Sequence, residues 1–173
     1  MIKLDIDLSL DLKEVSIVIK DFIKTYVKNS GCKGVVIGLS GGVDSAVTTI
    51  LCKDAIGKKN VNCIYLPDNT TPELDNKHCD LFIKKFGLSC EKKDISKIVK
   101  EISVSSIIKP DKFALANVKA RSRMIILFEY ASISRHVFEG HSDCPNEHNH
   151  INIYKRKFRV LCLGQLRLRD QTN

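Results

Sequence analysis

The chain has 173 residues, 43% of them hydrophobic and 28% charged, which is one domain's length of ordinary globular composition and excludes a fibrous or low-complexity protein. The formal net charge of +8 suits an anionic ligand, a nucleotide or RNA, better than a cationic one. No apolar run approaches the ~20 residues of a membrane span, the opening MIKLDIDLSLDLKE is too acidic for a signal peptide, and seven scattered cysteines with no CxxC pair suggest neither a disulfide framework nor a zinc ribbon, so the cytoplasm is the expected compartment.

In chain order, Leu12, Val15, Val18, Ile19, Phe22, Ile23 and Tyr26 recur at helical spacing, which predicts an amphipathic helix over 11–28 stopped by Gly31. GVVIGLS, 34–40, then has the continuous apolar run of a strand buried on both faces. The pattern turns helical from Asp44 to about Ile56 and ends at GKKN. VNCIYLP, 61–67, is a second buried strand. A helix entered through Pro72 and closed by Gly87 follows, then a weaker strand in LSCEKKDI and helical stretches near 94–104 and 115–131. Strands alternating with helices imply parallel pairing through right-handed crossovers. The expected fold is therefore α/β, an open doubly wound parallel sheet with helices on both faces.

GLSGGVDS, 38–45, falls where the first strand gives way to a helix. Glycines there permit left-handed backbone angles and close approach of a ligand to the peptide groups. Successive N–H groups and the positive end of the helix then make a concave anion site. Gly38, Leu39, Ser40, Gly41, Gly42, Val43, Asp44 and Ser45 are accordingly the candidate phosphate-binding residues. Asp44 alone is out of place beside phosphate, and a bridging Mg²⁺ would remove the conflict, which makes Asp44 the candidate metal ligand. The pattern is neither GxxxxGK[ST] nor GxGxxG. The competing interpretation is a tight strand-to-helix turn in which Asp44 or Ser45 caps the helix.

SGGVDS resembles the signature loop of the ATP pyrophosphatases, which cleave ATP to AMP and pyrophosphate while adenylating a substrate oxygen. A second stretch, ANVKARSRMIILFEYA at 116–131, is similar to the GNxKARxRM helix of the ammonia-dependent NAD synthetase family, with Ala116 where that family usually has Gly. The resemblance covers roughly residues 10–131 and implies an adenine nucleotide alpha hydrolase-like fold. It further implies that ATP is a co-substrate held with Mg²⁺, and that deamido-NAD is contacted by Asn117, Lys119 and Arg121. The apolar MIILFEYA segment would help form a homodimer. In the implied reaction the nicotinate carboxylate attacks the α-phosphorus of ATP, pyrophosphate leaves, and ammonia displaces AMP from the acyl-adenylate to give NAD. Positioning and charge neutralisation suffice for this chemistry, and no catalytic triad is expected. With no Cys after Met1 and no room for a glutaminase domain, ammonia would come from solution or from a glutaminase partner; neither membrane nor nucleic acid is an expected partner.

Residues 132–173 depart from the family, so the expected organisation is a synthetase-like domain over 1–131 and an atypical basic tail over 132–173. FRVLCLGQ, 158–165, could imitate the strand that the family places next. His141, Cys144, His148 and His150 are zinc-type ligands in no spacing that defines a known site. Two alternatives to a working synthetase remain open: another ATP pyrophosphatase, of tRNA-modifying or amidotransferase type, and a catalytically impaired nucleotide-binding fragment.

Overall fold

The computed structural model describes residues 11–139 and 160–161. Helix α1, Leu12–Ser30, starts at Asp11, whose carboxylate accepts from the amides of Lys13 and Glu14, and stops at Gly31 in the left-handed conformation. It is followed by β1 (Val35–Leu39), α2 (Val43–Ile56), a short 3₁₀ turn (Lys58–Asn60), β2 (Val61–Tyr65), α3 (Glu73–Phe86), β3 (Cys90–Lys92), α4 (Ser96–Val104), α5 (Lys112–Ser134), β4 (Val137–Glu139) and β5 (Val160–Leu161).

The five strands form one sheet in the order β3-β2-β1-β4-β5, with every pairing parallel. Alternation along the strands divides the core in two. Val35, Ile37 and Leu39 of β1, with Val61, Cys63 and Tyr65 of β2, face Ile23 and Val27 of α1, Cys52 of α2 and Cys79 of α3. Val36 and Ile64 point the other way, onto Val99 of α4 and Leu127 and Ala131 of α5. The sheet is thus covered on both faces, as the largely apolar β1 and β2 require. Burial first of all pushes the thiols of Cys63, Cys79 and Cys90 up to about 12, 11 and 11, so they pack as neutral side chains.

The chain runs outward from β1 to β3 and then returns across the opposite face through α4 and α5 to lay β4 on the other side of β1. The reversal of strand order therefore falls between β1 and β4, and ligands of open α/β sheets bind at such a crevice beyond the strand carboxyl ends.

Two readings of the sequence are corrected by the fold. Helix α5 begins at Lys112 rather than near 115, because the Asp111 carboxylate accepts from the Ala114 amide and starts it early. The strand beside β1 is Val137–Glu139, for which three residues gave no periodic signal; it begins just past Arg135, which closes α5 at φ 58°. From FRVLCLGQ, Val160–Leu161 pairs with β4 instead, one place further out. The remainder of that stretch and the His141, Cys144, His148 and His150 group lie outside the described residues.

Candidate functional site

Strand β1 delivers its last residue, Leu39, to the reversal point, and Ser40–Gly42 turn the chain into α2. Gly42 caps the helix with no side-chain bond, so neither Asp44 nor Ser45 acts as the N-cap. The two serines brace the turn instead. The Ser40 amide donates to Ser45 Oγ (3.3 Å), the Gly42 amide donates to Ser40 Oγ (3.3 Å), and Ser45 Oγ donates to the Gly42 carbonyl (3.1 Å). The hydroxyls lie 3.1 Å apart. Since the Ser45 proton goes to Gly42, Ser40 is the donor of that pair. Both hydroxyl protons are then committed within the loop, which is held in shape by the groups that sequence alone assigns to the ligand.

Each of two glycines makes room for a neighbour. Gly41 has φ +84°, and a Cβ there would lie 2.9 Å from the Cα, Cβ and carbonyl oxygen of Asp75, so the loop rests directly on the first turn of α3. At Gly38 a Cβ would come within 2.8 Å of Leu127 Cδ1, so this glycine admits α5 against β1. Asp44 is exposed in the first turn of α2, and the amides of that turn point out along the helix axis toward the loop. This geometry fits a phosphate chain. An exposed carboxylate with phosphate oxygens beside it is also a fitting partial shell for Mg²⁺, which keeps several waters and uses one or two carboxylates. Among the described residues, no group of three or more His, Cys, Asp or Glu is placed to hold a metal ion.

The second motif divides by helical phase. Lys119, Arg123 and Leu127 follow at four-residue intervals and share the face of α5 turned toward the sheet. There Asp68, three residues past β2, takes both cations. Its Oδ1 accepts from the Lys119 ammonium at 3.1 Å, and its Oδ2 accepts from Arg123 Nη2 at 2.8 Å. The Thr70 amide and hydroxyl also donate to Oδ1 (2.8 and 2.6 Å), and Arg123 Nε donates to the Leu66 carbonyl at 2.8 Å. The Asp68 side chain is 3% exposed. Burial alone would raise its pKa, but the two Thr70 bonds and the Lys119 ammonium outweigh it and hold the carboxyl at about 2 against an ordinary 3.8. Asn117 and Arg121 lie on another side of the helix. Asn117 is half-buried and donates to the Phe113 carbonyl, while Arg121 is exposed and enters none of the described salt bridges.

Of the sequence candidates, the eight residues of 38–45 are brought together as the end of β1, the Ser40–Gly42 turn and the first turn of α2, whereas Asn117 and Arg121 face away from Lys119. Asp68 went unmarked in the sequence reading. Its one available signal was its place: an acid just beyond a buried strand, level with the glycine loop, since Leu39 and Tyr65 are register partners.

A parallel sheet whose reversal point carries a glycine loop and a helix start has the architecture of nucleotide-binding α/β units. The model of the NAD synthase family matches residues 15–147. NH(3)-dependent NAD(+) synthetase of Hyperthermus butylicus is 39% identical over 137 residues, covering 79% of this chain and 50% of that protein. The enzyme of the same name from Methanocaldococcus jannaschii is 36% identical over 124 residues, covering 70% and 48%. The solved NH3-dependent NAD synthetase of Campylobacter jejuni superposes with a TM-score of 0.72 at 30% identity, covering 76% of this chain and 57% of that one. The NMN synthetase of Francisella tularensis gives 0.71 at 24% identity, a likeness of fold. The chain belongs to the NAD synthase family, and it spans about half the length of the curated relatives it matches. No helix of the described residues is long and apolar enough to cross a membrane.

Proposed function

We propose that the chain serves ATP-dependent amidation of deamido-NAD by ammonia, through an acyl-adenylate, giving NAD, AMP and pyrophosphate. The observation that carries this reading is the placement of SGGVDS at the sheet's reversal point, backed by α5 with its NVKARSRM segment. In this reading residues 38–45 hold the departing pyrophosphate and Asp44 holds Mg²⁺, while Asn117 and Arg121 meet the dinucleotide from α5. Lys119, on the opposite face of α5, bears on the dinucleotide only by tying the helix to Asp68. When bound, Mg²⁺ supplies charge neutralisation at the phosphates. The loop's part is to orient the chain of phosphates; that of Arg121 is to offer a planar fork to phosphate or carboxylate. The working form is a homodimer in the cytoplasm, fed with ammonia from solution or by a glutaminase partner. The exposed Met124 and Ile125 of α5 support a partner on that helix.

A second reading is favoured by the chain's span of about half its relatives' length: these 173 residues bind Mg·ATP without a synthetase's turnover. One assay separates the two. NAD formation from deamido-NAD, ATP and ammonium, run beside a full-length relative, supports the first reading if the rates are comparable. ATP binding without NAD supports the second, and absence of ATP binding overturns both.

Two substitutions test the contacts. Asp44→Ala is expected to weaken ATP binding in the presence of Mg²⁺ and to leave metal-free ATP binding unchanged or slightly stronger, because a carboxylate repels bare phosphate. Equal affinities of mutant and wild type under Mg²⁺ in calorimetry would remove the metal role. Arg121→Ala is expected to cost deamido-NAD binding about 1.5–3 kcal/mol, the loss of one charge-assisted bond, and to spare ATP. Parallel losses for the two ligands would make Arg121 a structural residue.

A further inference from the structure

The Asp68 cluster lies outside the phosphate loop, yet it grips the helix that carries Arg121. Besides the apolar packing of Leu115, Val118 and Ala131, two specific contacts fix the position of α5 on the sheet. One is Leu127 seated over Gly38, where a Cβ would lie 2.8 Å from Leu127 Cδ1 and displace it. The other is the clamp of Lys119 and Arg123 on Asp68, one to two turns nearer the start of the helix. The acceptor side of the clamp is itself fixed. The Asp68 amide donates to Thr71 Oγ1 (2.9 Å), the Ile95 amide to the Pro67 carbonyl (2.9 Å), and the Asn69 amide to Ser96 Oγ (2.8 Å). The loop after β2 is therefore an anchored post rather than a mobile partner.

We propose that Asp68 is a positioning residue for the dinucleotide: by holding Lys119 and Arg123 it sets the height and phase at which α5 presents Arg121. The inference rests on reading Arg121 as a dinucleotide contact. Without the clamp, the first half of α5 pivots about Leu127. Six residues separate Leu127 from Arg121, about 9 Å along a helix, so a tilt of about 6° displaces Arg121 by about 1 Å. A shift of that size is enough to cost a well-oriented site about a hundredfold. The substitution also leaves two like charges, with side chains 16% and 35% exposed, facing each other where one buried carboxylate neutralised them, which drives the helix outward.

A purely stabilising clamp would lower the melting temperature and nothing more. A positioning clamp makes the contribution of Arg121 conditional on Asp68, which a double-mutant cycle reads. Deamido-NAD and Mg·ATP binding to the full chain are measured by calorimetry for wild type, Asp68→Asn, Arg121→Ala and the double variant, below the melting temperature of each. Asp68→Asn is expected to weaken deamido-NAD binding at least tenfold and Mg·ATP less than threefold. Arg121→Ala is expected to weaken deamido-NAD about 10- to 100-fold in the wild-type background and less than threefold once Asp68 is Asn. Arg123→Lys, which keeps the charge but loses the fork, replaces Asp68→Asn in the cycle if the latter does not fold, with the same expectation. Independent, multiplicative effects of the two substitutions would overturn the positioning role while leaving the proposed function standing. A wild-type chain that fails to bind deamido-NAD would overturn both.

Discussion

Gly41→Val is expected to abolish measurable Mg·ATP binding while leaving a folded but weakened protein. The residue stands at φ +84°, where a β-branched side chain is disfavoured by roughly 1–2 kcal/mol. Its Cβ would also meet Asp75 backbone atoms at 2.9 Å, and backbone of a helix's first turn has little freedom to move away. Forcing extra atoms into such a contact costs about 1–3 kcal/mol. The two together, about 2–5 kcal/mol, are within what a domain of this size survives. The strain is relieved most easily by lifting the loop away from α3, which breaks the brace among Ser40, Gly42 and Ser45. A displaced loop loses at least two charge-assisted contacts with phosphate, so affinity is expected to fall at least about a hundredfold. Calorimetry with Mg·ATP and a urea melt measure the two effects separately. Unchanged ATP affinity in a destabilised mutant would mean that the nucleotide does not sit on this loop. Gly41→Ala keeps the sign of both effects with smaller size, since alanine lacks the branched atoms but not the Cβ.

The sequence revealed most where one element decides its own structure. The runs 35–39 and 61–65 are apolar on both faces apart from Asn62, so burial on both faces followed directly, and with it the layered arrangement. Gly31 and Gly87 ended α1 and α3 in left-handed geometry as their positions foretold. The glycine turn between β1 and α2 was legible for the same reason, as an unbroken stretch between a strand and a helix.

What escaped depended on distant partners. Strand β4 is three residues long and exists because Val35–Ile37 offers it an edge; its own composition carries no period. Helix α5 shows the same limit in its side chains. Spacing alone could place Lys119 and Arg121 on different faces but could not say which face meets the sheet. That is settled by Asp68, 51 residues from Lys119 in the chain, and by the notch at Gly38, 89 residue numbers before Leu127. The brace between Ser40 and Ser45 is a subtler case: the residues were identified, but their protons turn inward to the loop.

Asp68→Ala is expected to destabilise the chain by about 3 kcal/mol at neutral pH, and its effect should shrink in acid. Truncating the carboxylate strands Lys119 and Arg123 and leaves the Thr70 amide without its acceptor. Breaking a buried pair from one side costs about 3–5 kcal/mol, and the lower end applies here because the Arg123 side chain, 35% exposed, can turn toward water. Adding Lys119→Met to Asp68→Ala removes one stranded charge and should return part of the loss. The pH dependence follows from the lowered pKa. Asp68 ionises at about 2 in the folded chain and at an ordinary 3.8 when unfolded, so the unfolded state binds the extra proton between those values. Its contribution is therefore complete above about pH 5 and is lost as pH falls through 4 toward 2; the displacement of nearly two units corresponds to about 2.5 kcal/mol. Urea denaturation of wild type and Asp68→Ala at pH 7, 4 and 2.5 measures it directly. The gap between the two proteins should be widest at pH 7 and should narrow by about 2 kcal/mol at the lowest pH. A gap that stayed constant would mean that Asp68 is not ionised against Lys119 and Arg123 in the folded protein, and that α5 is held to the sheet by Leu127 and its apolar neighbours alone.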